Sequence, residues 1–253
     1  MADGAPFATH SSALLPVLYK NAPAMLKVAT HPEERSGVSL MLWWNGEGAA
    51  RVLAHHADAV LLERAVGPRS LSVLARTGHD DEASRNICSV AAKLHAPRPF
   101  PPPLVPLATW FRELQPAAVR FGGILQKSLA TSCELIENPA EVIVLHGDLH
   151  HANVLDAGPR GWLAVDPKGL LGERAFDFAN IFCNPDFVVA TAPGRLRKQA
   201  FVVADAASLD RRRLLQWILA YAGLSAAWSL TTPDEDPRVA LAVAGIAAAE
   251  LDR

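Results

Sequence analysis

The sequence predicts an α+β fold in two unequal parts, and three observations carry that reading. Short apolar runs separated by turn signals fill the chain as far as Gly67, the pattern of a small antiparallel sheet. Beyond Gly67 apolar residues recur at helical spacing, the pattern of a larger, mainly helical part. Into that helical part are set two further apolar runs, Val142–Leu145 and Trp162–Val165, with polar residues gathered at their ends. The division falls after Arg64, giving residues 1–64 and residues 65–253.

In chain order, Ser12–Tyr19 and Ala24–Val28 read as strands joined by the turn-like Lys20-Asn21-Ala22-Pro23. Lys27 is a single cation inside an apolar strand, so it either snorkels from an edge or is buried with a task. Thr30-His31-Pro32-Glu33 reads as a helix start, with Thr30 as cap and Glu33 as its capping-box partner. That leaves Glu34 to pair with Lys27; the alternative makes both acids ordinary first-turn residues favoured by the helix dipole. Arg51–His55 and Ala59–Glu63 form a hairpin, and the second strand runs through Glu63-Arg64-Ala65 into Val66-Gly67-Pro68.

Past Gly67, Asp80 or Asp81 is expected to cap a helix that ends at Leu94. Six prolines from Pro97 to Pro106 mark a stiff connector. Ala117–Ile136 reads as a helix weakened by Gly122-Gly123. Leu209–Trp228 and Pro237–Leu251 are the clearest later helices. The stretch from Leu214 to Leu230, behind Arg211-Arg212-Arg213, resembles a membrane span, but it is short and carries Gln216, Ser225 and Ser229. A buried helix is expected there.

Composition narrows the function. Half of the 253 residues are hydrophobic, which excludes disorder as the main state, and a formal charge of −2 argues against a sequence-independent nucleic-acid binder. Cys88, Cys133 and Cys183 are odd in number and widely spaced, which suits a reducing compartment. The chain opens without a basic segment followed by an apolar one, so a cytoplasmic protein is expected.

The chemistry gathers between the two inserted strands. Asp148 is followed five residues later by Asn153 and thirteen residues after that by Asp166. This order resembles the H-R-D-x-x-x-x-N and D-F-G elements of protein kinases, with Gly147 in place of the Arg and Asp166-Pro167-Lys168-Gly169 in place of D-F-G. In phosphoryl transfer each residue type has a task. Asn153 and Asp166 are hard oxygen ligands for Mg²⁺, and Asp148 would accept or orient the proton of an attacking hydroxyl. His146, His150 and His151 make a weak zinc pattern without a partner Cys or further His; His146 reads instead as a structural histidine bonded to the loop backbone.

The longer segments HGDLHHANVL, RGWLAVDPKGLLGE, WWNGEGAARVL, LLERAVG and LSAAW resemble the aminoglycoside phosphotransferases, in the branch of streptomycin 6-phosphotransferases and hydroxyurea phosphotransferases. The resemblance covers nearly the whole chain from Phe7. It implies a bilobal protein-kinase-like fold: a small antiparallel sheet lobe with one helix, a hinge, and a larger helical lobe. It further implies Asp148 as the catalytic residue, Asn153 and Asp166 as metal ligands, Lys27 on the nucleotide phosphates, and Glu63, Arg64 and Ala65 as the adenine-binding hinge. ATP is the implied co-substrate and Mg²⁺ the implied metal. No G-x-G-x-x-G precedes Lys27; Ser11 and Ser12 stand where a phosphate-covering loop belongs, or form a turn.

The acceptor expected from the resemblance is a small hydroxylated molecule, an aminoglycoside such as streptomycin, with hydroxyurea or an endogenous metabolite as the alternative. A non-catalytic nucleotide-binding regulator is the third reading. A cationic acceptor would be drawn by Glu173, Asp177 and Asp186 and by the run Asp234-Glu235-Asp236, although Asp177 also reads as a brace for the catalytic loop. A monomer is expected, without nucleic acid or membrane partners.

Overall fold

The computed structural model describes residues 1–9, 12–29, 34–233 and 235–253, with only the backbone of residues 34 and 35. Lys20 and Asn21 both take positive φ, 50° and 64°, as the two centre residues of a tight hairpin require. The turn is therefore two residues and not four, and the strand it starts begins earlier than expected. This hairpin joins β2 (Ser12–Tyr19) to β3 (Ala22–Ala29) in unbroken antiparallel register from Ser12↔Ala29 to Tyr19↔Ala22. A second hairpin joins β4 (Val52–His56) to β5 (Ala59–Glu63), and with β1 (Phe7–Ala8) the sheet runs β1-β2-β3-β5-β4. Lys27 lies opposite Val60 on β5, so it belongs to an interior strand. Helix α1 (Glu34–Trp44) packs beside this sheet, with Leu40, Met41 and Trp44 buried.

After the sheet come α2 (Leu71–Arg76) and α3 (Asp80–Leu94). Neither Asp80 nor Asp81 caps α3; His79 occupies that position without a side-chain cap. The two acids reach instead to a later helix, where Asp80 pairs with Arg195 and Asp81 with Lys198. The proline connector becomes extended backbone ending in β6 (Val105–Pro106), followed by α4 (Leu107–Trp110). The expected single helix over residues 117–136 is two: α5 (Leu114–Phe121) and α6 (Ile124–Glu137). Gly122 and Gly123 lie between them at φ 66° and 59°, a conformation that costs little only without a Cβ and that ends a helix.

The inserted strands pair differently from a simple hairpin. β7 (Val142–Leu145) pairs with β10 (Leu170–Glu173), which also takes β6 on its other edge. Between them β8 (Val154–Asp156) and β9 (Trp162–Ala164) form their own hairpin. A 3-10 run, Arg174–Cys183, follows, and then α7 (Phe187–Ala190), α8 (Arg195–Ala207), α9 (Arg211–Thr231) and α10 (Arg238–Leu251).

Helix α9 explains its own composition. It packs against α6, α10 and the 3-10 run, so it buries residues on nearly every face, and an apolar all-round helix is what that site demands. Phe111, Phe176, Trp217 and Tyr221 meet edge to face around it at 5.5 to 6.1 Å between ring centres. Among the described residues no helix is long and apolar enough to cross a membrane.

Candidate active site

The loop after β7 is built from below. Asp177, buried in the 3-10 run, accepts the backbone N–H of His146 at 2.8 Å and of Gly147 at 2.7 Å. His95 Nε2 lies 2.8 Å from the same carboxylate. Burial pushes the Asp177 carboxyl up, but the hydrogen bond and charge of His95, together with His146 and the Gly147 N–H, hold the group below its ordinary value. Gly147 sits at φ 86°, and a Cβ there would lie 2.7 Å from Leu170 Cγ, so this position has no room for the Arg found in protein kinases.

His146 is structural. Its Nε2 is 3.0 Å from the carbonyl oxygen of Val165, which can only accept, so Nε2 carries the proton and Nδ1 accepts the N–H of Asp148 at 3.2 Å. The ring stacks on Trp44 at 6.0 Å, and burial pushes its pKa below the usual histidine value. A neutral imidazole thus couples the end of β7 to the end of β9. His146 O also accepts the N–H of Lys168 at 2.7 Å, fixing the second loop to the first.

On this frame Asp148, Asn153 and Asp166 come together. Asn153 Nδ2 donates to Asp148 Oδ2 at 3.1 Å and to the Asp148 carbonyl at 2.9 Å. Asp148 Oδ1 accepts from Asn180 Nδ2 at 2.8 Å. Asp166 takes φ 62°, an uncommon conformation for a residue with a Cβ, and its carboxylate meets the Lys27 ammonium from β3. Lys168 Nζ is 3.6 Å from the other Asp166 oxygen. His150 approaches Asp148 no closer than 3.8 Å, and burial lowers its pKa too. Among the described residues no three His, Cys, Asp or Glu side chains form a metal-holding group. Asn153 turns its N–H₂ to Asp148, and Asn153 and Asp166 line the same cleft. These two hard donors suit a cation that completes its shell with phosphate oxygens and water, as Mg²⁺ does.

Lys27, Asn153 and Asp166 line a cleft of about 270 Å³, together with Glu63, Arg64 and Ala65. Glu63 and Arg64 commit their N–H groups to Arg51 O and Pro23 O. Ala65 differs: neither its N–H nor its C=O has a hydrogen-bond partner among the described residues, which is what a hinge offering backbone groups to a flat heterocycle needs. The Glu63 side chain is engaged elsewhere, with the guanidinium of Arg160, and Arg64 pairs with Asp3 at 2.6 Å.

Other expected site residues fall elsewhere. Ser11 lies outside the described residues, as do His10, Thr30, His31, Pro32, Glu33 and Asp234, and so does the side chain of Glu34, which opens α1. Ser12 is buried at the start of β2. Expected on the acceptor side, Glu173 is buried and held by Arg213 at 2.6 and 2.8 Å and by the N–H of Ala140. Asp177 lies beneath the loop, as a brace. Asp186 caps α7 through the N–H of Val189 and pairs with Arg76 at 2.6 Å. All three carboxylates hold the fold, and none contacts Asp148 among the described residues. Sequence reading missed Asn180; the available signal was its place three residues after Asp177, which in a 3-10 run puts both on one face.

The aminoglycoside/hydroxyurea antibiotic resistance kinase family matches residues 1–232. The chain belongs to this family. It is similar to a streptomycin 3''-kinase of Klebsiella pneumoniae, 51% identical over 232 residues that cover 89% of this chain and 87% of the relative. A streptomycin 6-kinase of Streptomyces griseus is 32% identical, over 98% of this chain and 83% of its own. Among solved structures, a thermostable mutant of aminoglycoside phosphotransferase APH(4)-Ia, in ternary complex with AMP-PNP and hygromycin B, superposes with a TM-score of 0.69. It is 16% identical and covers 99% of this chain and 93% of its own; the likeness shows the fold, the kinase-like α+β arrangement read from the sequence. As a member of this kinase family the chain is an ATP-dependent phosphotransferase acting on a hydroxyl of a small molecule.

Proposed function

We propose that the protein transfers the γ-phosphoryl group of ATP to a hydroxyl of streptomycin, with the 3'' position the first to examine. One observation carries the chemistry: Asp148 presents a carboxylate fixed by Asn153 and Asn180, beside a cleft lined by Lys27, Asp166 and Ala65, whose backbone has no partner among the described residues. The similarity to the streptomycin 3''-kinase supports the acceptor.

In this reading residues 1–64 and the facing hinge hold the nucleotide, and residues 65–253 carry the catalytic loop. Ala65 bonds the adenine edge through its backbone. Lys27 turns from Asp166 to the nucleotide phosphates. Asp148 aligns the acceptor hydroxyl and takes its proton as the phosphoryl group leaves, the work of a positioned base. Mg²⁺ held by Asn153 and Asp166 would neutralise charge on the phosphoryl oxygens, which positioning alone does not do. His146 and Asp177 take no proton; they hold the loop in place.

The protein is incubated with ATP, Mg²⁺ and either streptomycin or hydroxyurea, products are weighed by mass spectrometry, and the phosphate is located by NMR. Streptomycin monophosphate is expected. Asp148→Asn is expected to lower turnover by about 10² to 10⁴ while keeping ATP binding, the usual contribution of a general base. A phosphorylated hydroxyurea and unmodified streptomycin would move the acceptor to the other half of the family's description. ATP binding without transfer to any acceptor would favour a nucleotide-binding regulator.

A further inference from the structure

Asp148 is held by two amides, and they differ in what fixes them. Asn153 faces the cleft and is a candidate metal donor, so its hydrogen bond to Asp148 changes with whatever occupies the cleft. Asn180 is buried at 6% exposure and is not among the residues that line the cleft. Its orientation can be traced to an atom with no choice of role. The backbone carbonyl of Asn180 accepts from Asn184 Nδ2 at 3.0 Å, which turns the Asn184 N–H₂ group inward. The same Nδ2 then meets Asn180 Oδ1 at 2.9 Å, so that atom must be the oxygen. The other end of the amide, facing Asp148 Oδ1 at 2.8 Å, is the N–H₂.

We propose that Asn180 is a positioning residue for Asp148 and that Asn184 locks the amide that does it. The proposal rests on the phosphotransfer reading above. Asp177 and Asn180 lie three residues apart on one face of the 3-10 run. Asp177 fixes the backbone of the catalytic loop and Asn180 fixes the side chain. An amide suits the task chemically. It donates without ionising, so it orients one carboxylate oxygen while adding no charge that would compete with the acceptor proton. His150, at 3.8 Å from the same oxygen, is too distant to replace it.

The test is a double-mutant cycle. Asn180→Leu keeps the volume and removes the donor; it is combined with Asp148→Asn, and kcat, KM for ATP and melting temperature are measured for all four proteins. Asn180→Leu is expected to lower kcat about 10- to 10²-fold with KM for ATP little changed, the scale of a misplaced catalytic group. In the Asp148→Asn background the same substitution is expected to change kcat by no more than about threefold, because its target has gone. Equal losses in both backgrounds, or a loss that follows a raised KM for ATP and a lowered melting temperature, would overturn the proposal. Should Asn180→Leu fail to fold, Asn184→Ala, which only unlocks the amide, is put through the same cycle and judged by the same outcomes. The cycle is repeated on the slow hydrolysis of ATP by water, so an error in the acceptor leaves a result that still decides the role of Asn180.

Discussion

At the scale of single residues, the loop after β7 shows which side chains have chemical freedom and which hold the scaffold. That Asp148, Asn153 and Asp166 come together was legible because their spacing puts them on two adjacent loops at strand ends. Asn180 and His95 were not, since a hydrogen bond to a residue 32 or 82 positions away leaves no local trace. At Asp166, Lys27 from the sheet and Lys168 from its own loop converge on one carboxylate of a residue with positive φ. Strain of that kind persists where the surroundings impose it. Asp166→Ala is expected to fold and to lose the Mg²⁺ dependence of ATP binding, because it removes a hard ligand and leaves phosphate charge less neutralised. Titration calorimetry with ATP, with and without Mg²⁺, reads this directly; a mutant that keeps the wild-type metal dependence would assign Asp166 to structure.

At the scale of elements, periodicity gave strands and long helices well and partners poorly. Leu170–Glu173 was not foreseen as a strand, since four residues following a Gly carry too little pattern, and only its pairing with Val142–Leu145 and Val105–Pro106 makes it one. Asp80 was misread for a similar reason. An acid at a helix start looks like a cap, whereas here it lies against Arg195 of α8 at 2.8 and 3.2 Å. Burial pushes its carboxyl up, yet the hydrogen bonds and positive charge around it bring it down to about 2. His151 Nε2 stands 3.8 Å from Asp80, beyond hydrogen-bond reach, so Arg195 is the partner that matters. A folded value of about 2 against an ordinary 3.8 means the unfolded chain takes up the proton first as pH falls. The contribution, about 2 kcal/mol, is therefore complete above about pH 4 and gone once pH has fallen through about 2. Asp80→Asn is expected to melt about 5 °C lower at pH 7, a shift of the size expected for a chain of this length, with the gap to wild type closing between pH 4 and pH 2. A gap that stays constant with pH would mean that α3 and α8 are joined by packing alone.

At the scale of the whole molecule, the sheet and the helical part are joined by polar links that cluster at the cleft. Lys27 meets Asp166, Glu63 meets Arg160 from the turn between β8 and β9, and Arg160 also donates to Gly46 O at 2.6 Å. A further polar cluster, within the helical part, forms around Arg69, four positions after Ala65. Its guanidinium lies 4.9 Å over Trp162 and bonds Asp156 at 2.8 and 3.0 Å, while the Arg69 N–H adds a bond to the same carboxylate. The Arg69 side chain holds the Asp156 carboxyl down at about 2, against the opposing effect of desolvation. Gly67 N–H bonds Asp156 O at 2.8 Å, so this one residue anchors the hinge two positions after Ala65. The fold class was readable from the sequence because it depends on element order; these links were not, because each joins residues 87 or more positions apart. Arg69→Met keeps an apolar stem over Trp162 and removes the charge, leaving Asp156 buried without its cation. The variant is expected to melt lower at pH 7 and to raise KM for ATP more than it lowers kcat, since it loosens the hinge and leaves Asp148 alone. Because the folded pKa of Asp156 lies below its ordinary 3.8, the stabilisation is present above about pH 4 and fades as pH falls through about 2, so wild type and variant should converge in acid. Adding Asp156→Asn removes the stranded charge and should restore part of the melting temperature but not the affinity for ATP. If Arg69→Met changes neither the melt nor KM, the hinge is held by the backbone alone.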